Sequence, residues 1–564
     1  MTIQSSNVPE VLTLGQWKGL NQQGRRGSID DNEEWWNLNL FAVGPGNFRS
    51  CWGPSAAIYT APAGYTIRRI FFGYVGNPPT ATQPPPGRLG WMFLDNGTAQ
   101  GLVDQVDLDT GTVTRVGQIW QPIAPKYWAD AVVWRPSFFG QIAGQVGGVL
   151  FGSPQGLYAW DGQTLTSPGE VAPDWLTDAA ESPPLPLPGP TIMPSGLPGI
   201  YCMEVYESRL WVAGKDVISY SAPANGADFS TVNGGGSFGY FGNKLTYSFM
   251  CLKASSGYLF VFGDSSTDVI SNLQMTGGGT ITDPYTTSFT YQNVDPQVGQ
   301  RFPRWVGQLG KYFTMYNGAA IFFMAGSDAQ AIGQKVTNTY VTLDTSQYYP
   351  TMAPATMFGF RVMLCNGRFT DPWGVTRSMI LMYHPTGGGS QGFWSVAHQN
   401  LELTHIGYYE DNSVIQPYGT DGTSLYRLFD HPDPSLPKRL STKALRGHDI
   451  AELVIKDFKR LYLEVHDMSG EGWQRKAGDS QSIVSVPRPP VGVSFTGNQK
   501  SGGGTQGGVQ DVGFDLVGGK IYDIIPFATN GGGIWTQIDL DTLSPDFVIE
   551  RLHIAGEQRT FWGA

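Results

Sequence analysis

The chain has 564 residues, of which Gly 74 and Pro 39 make up a fifth, against about 12% in an average protein. Aromatic residues reach 13% and charged residues only 15%, which excludes a disordered chain and argues against long solvated helices. The net charge of −11 excludes a protein that wraps nucleic acid by neutralising phosphates, but suits an acidic wall past which a polyanion slides.

In chain order, residues 1–55 read as an extended arm with short strands. The arm carries Trp17, the segment Gly19-Leu20-Asn21, the basic pair Arg25-Arg26, then Trp35-Trp36-Asn37 and Gly46-Asn47-Phe48-Arg49. It has no basic stretch followed by an apolar one at its start, and no run in the chain approaches 18 apolar residues. Neither a secretory leader nor a membrane segment is therefore expected, and synthesis in a cytoplasm is.

Residues 56–440 repeat a theme: a strand of aromatic and β-branched residues, a Gly, Asn or Asp turn, then a second strand. Examples are 149–152 with 156–160, 209–214 with 217–221, 258–263 with 268–270, and 379–383 with 393–396. Asn317-Gly318 and Asp421-Gly422 are hairpin signals of the same kind. Units about 45–65 residues apart predict the blades of a β-propeller, because one small sheet cannot bury both faces until neighbours stack against it in a closed ring. Pro-rich segments at 78–86 and 183–190 read as surface loops between strands. After residue 441 charges cluster, and 441–564 reads as a second β domain, with a flexible loop at 498–508 and strands at 460–465, 520–528, 535–540 and 547–554. The fold class expected is all-β: a β-propeller plus a β platform built from the N-terminal arm and the C-terminal region.

Constellations that carry chemistry are weak. Two G-x-S-x-G matches surround Ser237 and Ser390, but neither has the strand-then-helix setting of a nucleophile elbow, so both read as turn serines. The G-x-G-x-x-G at 234–239 lacks a following helix to hold a pyrophosphate. Asp107 and Asp109 lack the remaining ligands of a calcium loop and read as a hairpin turn. The seven His show no metal spacing. Asp264 and Asp268 read as turn and strand-edge residues rather than a glycosidase pair. The four Cys (Cys51, Cys202, Cys251 and Cys365) form no C-x-x-C and read as reduced core residues. No catalytic, cofactor-binding or metal residue is expected, and no cofactor.

Several of these segments resemble the β-propeller tail hub or nozzle proteins of short-tailed bacteriophages. The likeness is carried by Gly19-Leu20-Asn21, Trp36-Asn37 and Gly46-Asn47-Phe48-Arg49 in the arm. It continues in 209–214 with 219–223 and Asp228-Phe229, in 259–263, and in Leu440-Ser441-Thr442-Lys443 before the strand at 460–465. Region 468–530 has no counterpart in it. The resemblance implies a structural virion protein assembled in the host cytoplasm into the tail. It implies a homo-hexamer below a tail adaptor protein, with tail fibre, spike or needle proteins as further partners. Double-stranded DNA passes through such a ring without specific binding. Trp17, Trp35, Trp36, Lys438, Arg439, Lys443 and Arg446 are the expected assembly interface. Exposed Trp in a loose arm is an aggregation liability, so the three Trp are expected to be buried against the C-terminal domain or a neighbouring subunit. The basic cluster is expected to face a protein interface, because on the channel wall it would hold DNA back. The alternatives are a propeller enzyme acting on carbohydrate and a glycan- or receptor-binding tail protein.

Overall fold

A computed structural model describes residues 9–561 except 31, 44–45, 74–87, 98–100, 121–129, 135–147, 154, 177–190, 196, 198–199, 215–216, 240–248, 296, 303–305, 327, 386–391, 412–413, 446–453, 469–470, 476–482, 488–492, 503–508 and 524–534. Arg446, Ser390 and the Pro-rich segments 78–80, 84–86 and 183–190 lie outside the described residues.

Among the described residues, seven four-stranded antiparallel sheets follow one another along the chain. Their innermost strands are Thr66–Gly73, Asp130–Trp134, Cys202–Tyr206, Phe249–Ser255, Val306–Leu309, Thr351–Met357 and His405–Asp411, here blades 1 to 7. Apolar clusters join each blade to the next. Trp91, Phe93, Val149 and Phe151 link blades 1 and 2, and Leu259, Phe262, Phe313 and Met315 link blades 4 and 5. Ile67, Met92, Tyr409 and Tyr418 join blade 7 back to blade 1, so the ring is closed and the fold is a β-propeller. The outer strand of blade 7 comes from the other end of the chain: Tyr59–Thr60 pairs with Ser424 and Leu425. The turns follow local chemistry. At Asp421-Gly422 the Asp421 carboxylate accepts the backbone N–H groups of Thr423 and Ser424, both at 2.7 Å. At Asn317-Gly318 the loop is two residues wider than a two-residue hairpin, because Tyr316 pairs with Ile321 while Asn317 Oδ1 takes the N–H groups of Ala319 and Ala320.

Eleven of the remaining described strands form a two-sheet platform, and Glu471–Arg475 pairs with Ile483–Pro487 as a separate two-stranded sheet. One sheet holds Pro9–Gly15, Leu40–Val43, Asn47–Ser50, Val454–Asp467, Ile521–Asp523 and Phe547–Phe561. The other runs in the order Glu34–Leu38, Lys438–Thr442, Trp535–Thr542, Ser494–Gly502 and Gln510–Val517. Arm strands thus pair with strands about 400–540 positions away, as in Leu12 against Ile554 and Asn37 against Leu440. Alternation along these strands turns Phe458, Leu461, Leu463, Leu552 and Ile554 of one sheet toward Phe495, Leu516, Ile538 and Leu540 of the other, which is the burial that holds a sandwich together. Two sequence expectations need correction. The strand Lys438–Thr442 spans the boundary placed between 440 and 441. Residues 498–502 are not loop: despite their polar composition they lie in a strand paired on both sides, with 510–513 and with 535–539, because tertiary pairing overrides weak local propensity.

Candidate functional site at the arm junction and the propeller axis

The arm sits where platform and propeller meet. Gly19, at φ +85°, presses on blade 6, and a Cβ there would lie 2.8 Å from the Trp394 carbonyl oxygen. Only a residue without a side chain fits that approach, and the contact is completed by the Leu20 N–H donating to the same oxygen at 2.8 Å. Asn39 clamps three segments: its Nδ2 donates to the carbonyls of His398 and Pro437 at 3.0 and 2.7 Å, and its Oδ1 accepts the His398 N–H. Asn37 Oδ1 accepts the Val396 N–H at 3.0 Å. A polar cleft of about 300 Å³ opens beside this junction, lined by Asn21, Asp30 and Glu33 of the arm and by Gln334 and Lys335 of the helical turn Gly333–Val336 that follows blade 5. Lys335 pairs with Glu33 across it at 2.8 Å.

The expected interface residues converge on this junction, but inside one chain. Trp17 is 1% exposed in the platform core, tilted against Phe48 at 5.4 Å, and its Nε1 donates to the Glu550 carbonyl. Trp36 is fully buried among blade 6 residues such as Tyr383, Trp394 and Val396. Trp35 is half-buried, edge-on to Trp373 at 6.2 Å and under the Arg26 guanidinium at 4.7 Å. Lys438 is 1% exposed and donates to the Asp433 carbonyl at 2.9 Å; burial lowers its pKa to about 8. Arg439 forks onto Asp541 and lies 4.3 Å over Trp373, and Lys443 donates to the Ile29 carbonyl at 2.7 Å. Trp17 is thus buried against the C-terminal region, one of the two partners expected for the arm tryptophans, whereas Trp36 is covered by blade 6; with the buried Lys438 they build a junction that joins arm, platform and propeller of the same chain. Sequence reading missed Arg26 as a member. It donates from Nε to the Thr442 carbonyl and from Nη2 to Asp539, both at 2.7 Å.

A second polar cluster lies where the inner strands meet the propeller axis. Glu204 of blade 3 pairs with Lys253 of blade 4 at 3.7 Å, and Tyr408 of blade 7, 38% exposed, lies within electrostatic reach of both. Side chains of three blades thus converge on the axis. Burial raises the Glu204 carboxyl, with Lys253 opposing it. Asp130 of blade 2 ties three blades together, taking the Met203 N–H at 2.8 Å and pairing with Arg69. Arg361 of blade 6 and Glu410 of blade 7 approach to 3.7 Å.

The motif residues have structural partners. Ser237 is not the turn serine expected: it lies within the strand Gly236–Gly239, paired with Ser219 of the neighbouring strand. Asp107 Oδ1 accepts the N–H groups of Asp109 and Thr110, as in a hairpin turn, and Asp109 pairs with Arg88. Asp268 is buried and accepts from Tyr291 Oη and Asn293 Nδ2. Asp264 accepts from Ser265 Oγ. No group of three or more His, Cys, Asp or Glu suited to a metal occurs among the described residues. All four Cys are free and buried.

No protein-family model matches the chain and no curated protein matches it. Solved structures give distant likenesses. The AfRom2 CNH domain is 10% identical at a TM-score of 0.22, covering 54% of this chain and 95% of its own. A mutant of Trypanosoma rangeli sialidase displaying trans-sialidase activity is 8% identical at 0.20, covering 68% and 96%. The fructofuranosidase of Schwanniomyces occidentalis complexed with fructose is 8% identical at 0.22, covering 94% and 100%. The propeller assignment rests on the strand pairing and ring closure of this chain itself.

Proposed function

We propose that the chain is a structural virion protein, the tail hub or nozzle of a short-tailed bacteriophage, six copies of which form a ring through which genomic DNA leaves. The observation that carries this reading is the joint: both ends of the chain build one platform, and the arm laces that platform to blade 6 through buried polar clamps. A part that transmits load between two stacked bodies needs such a joint. The resemblance of the arm and blade motifs to tail hub proteins supports the same reading. Six copies at −11 each carry −66, and a wall of that sign repels DNA over about one Debye length, roughly 8 Å at physiological salt. Lys438, Arg439 and Lys443, each engaged within the chain, are then kept away from phosphate. The partners are a tail adaptor protein above the ring and fibre, spike or needle proteins around it. Co-expression with the adaptor and native mass spectrometry test this. Six copies bound to an adaptor ring are expected; a monomer that ignores the adaptor would refute it.

A second reading, a propeller that binds or cleaves glycans, draws on one observation: Glu204, its carboxyl raised by burial, sits beside Lys253 and the exposed Tyr408 ring near the axis. Turnover of a host glycan by the purified chain, lost in Glu204→Gln, would favour it over the nozzle.

A further inference from the structure

Cys202 and Cys251 are 49 positions apart and sit on the innermost strands of blades 3 and 4. Those strands run side by side. Two positions on from each Cys, on the same face of its strand, stand Glu204 and Lys253, whose ion pair spans the seam at 3.7 Å. One cross-seam rung therefore sets the next. The rung before the ion pair places the two thiols within electrostatic reach of each other. The Leu252 N–H, next to Cys251, donates to Cys202 Sγ at 3.2 Å, which pins the Cys202 sulfur against the opposite strand. Cys202 and Cys251 are 7% and 4% exposed, while the neighbouring Lys253 side chain is 36% exposed, which marks the side from which a small solute would approach the seam.

We infer that Cys202 and Cys251 are an oxidisable pair that closes a disulfide between blades 3 and 4 when a peroxide reaches the folded chain. Cys251 is the attacking group. Its interaction with Cys202 and the nearby Lys253 ammonium hold its thiol below the ordinary range, whereas the Cys202 thiol is raised. The Cys251 thiolate takes one peroxide oxygen and becomes a sulfenic acid, and the hydroxide released is protonated to water. The Cys202 sulfur then displaces the sulfenic hydroxyl as a second water. Two thiols are oxidised and one peroxide is reduced to two waters. Cys51 and Cys365 serve as internal controls. Each is fully buried, and burial raises both thiols, Cys51 to about 12.

The test is peroxide treatment of the native full chain, alkylation with N-ethylmaleimide under denaturing conditions, and peptide mapping without reductant. The expected result is a peptide pair joined through Cys202 and Cys251, two hydrogens lighter, with Cys51 and Cys365 alkylated. The oxidised chain is also expected to melt roughly a few degrees higher, because the link closes a long loop in the unfolded chain. In Cys202→Ser the same treatment is expected to leave Cys251 as a sulfenic acid that dimedone captures. Recovery of Cys202 and Cys251 from the wild-type chain as separate alkylated or over-oxidised peptides would overturn the inference, as would a link to Cys51 or Cys365. The wild-type map decides the matter even where the variant misfolds.

Discussion

The propeller and the platform are both made of short antiparallel strands, yet they are assembled by opposite rules. Each blade is cut almost wholly from one continuous stretch, such as 202–239 for blade 3 or 306–331 for blade 5. The platform pairs residues 9–15 with 551–557 and residues 34–38 with 439–442. Blades are therefore stabilised by local hairpins plus neighbour stacking, whereas the platform exists only when both ends of the chain are present. The arm carries the difference, belonging by pairing to the platform and by contact to blade 6.

The largest expected effect comes from removing the arm. Deleting residues 1–50 takes four strands from the platform, together with Trp17 and Phe48 from its core, but leaves Tyr59–Thr60 to complete blade 7. Limited proteolysis is expected to degrade 441–564 while 59–427 resists. Loss of both regions together would break the distinction drawn here between local and long-range assembly.

Next in size is a comparison of two tryptophans. Trp17→Ala empties a fully packed platform site and is expected to cost about 3–5 kcal/mol. Trp373→Ala, at a position 45% exposed, is expected to cost about 1 kcal/mol, mainly through lost contact with Arg439 and Trp36. Denaturant titration of both variants checks the order; equal costs would mean that the arm is not seated as described.

Lys438 gives a pH signature of the junction. Its folded pKa of about 8 lies below the unfolded value of about 10.4, so between those values the unfolded chain holds more proton and stability rises with pH. Relative to Lys438→Met, the wild-type chain is expected to gain up to about 3 kcal/mol across that window. A difference that stays flat from pH 8 to 10 would show that the amine is not desolvated.

Glu34 supplies the smallest effect, of opposite sign. Its carboxyl oxygens are fully buried and make no hydrogen bond among the described residues, and burial raises its pKa well above the usual value. The folded chain then holds more proton than the unfolded one above about pH 4.5, and stability falls as pH rises. Glu34→Gln is expected to stabilise the chain at neutral pH by about 1 kcal/mol, read as a shifted urea midpoint; a destabilised variant would mean the carboxylate has a partner.

The blades were legible because their signals are local: a strand pair such as 209–213 and 217–220 shows its turn and its alternation within a dozen residues. Tyr59–Thr60 was not, since a two-residue strand has no period to detect. The polar strand Ser494–Gly502 was hidden for the complementary reason, its extended form being imposed by neighbours on both sides. At the junction the residue types were visible but their direction was not. Trp17, Trp36 and Lys438 stood out as residues needing burial, yet whether their own chain or another supplied it depended on pairings hundreds of positions long. The meeting of Cys202 with Cys251, and of Glu204 with Lys253, follows from ring closure, and no spacing in the sequence announces it.

The central claim is that six such chains form an acidic-walled ring for DNA exit, and a density map of the assembled tail tests it most directly. The account predicts a sixfold ring with Asp and Glu outnumbering Lys and Arg on the channel wall, and with Lys438, Arg439 and Lys443 turned into the arm–platform junction. A ring of another order, or a channel lined mainly by Lys and Arg, would contradict it.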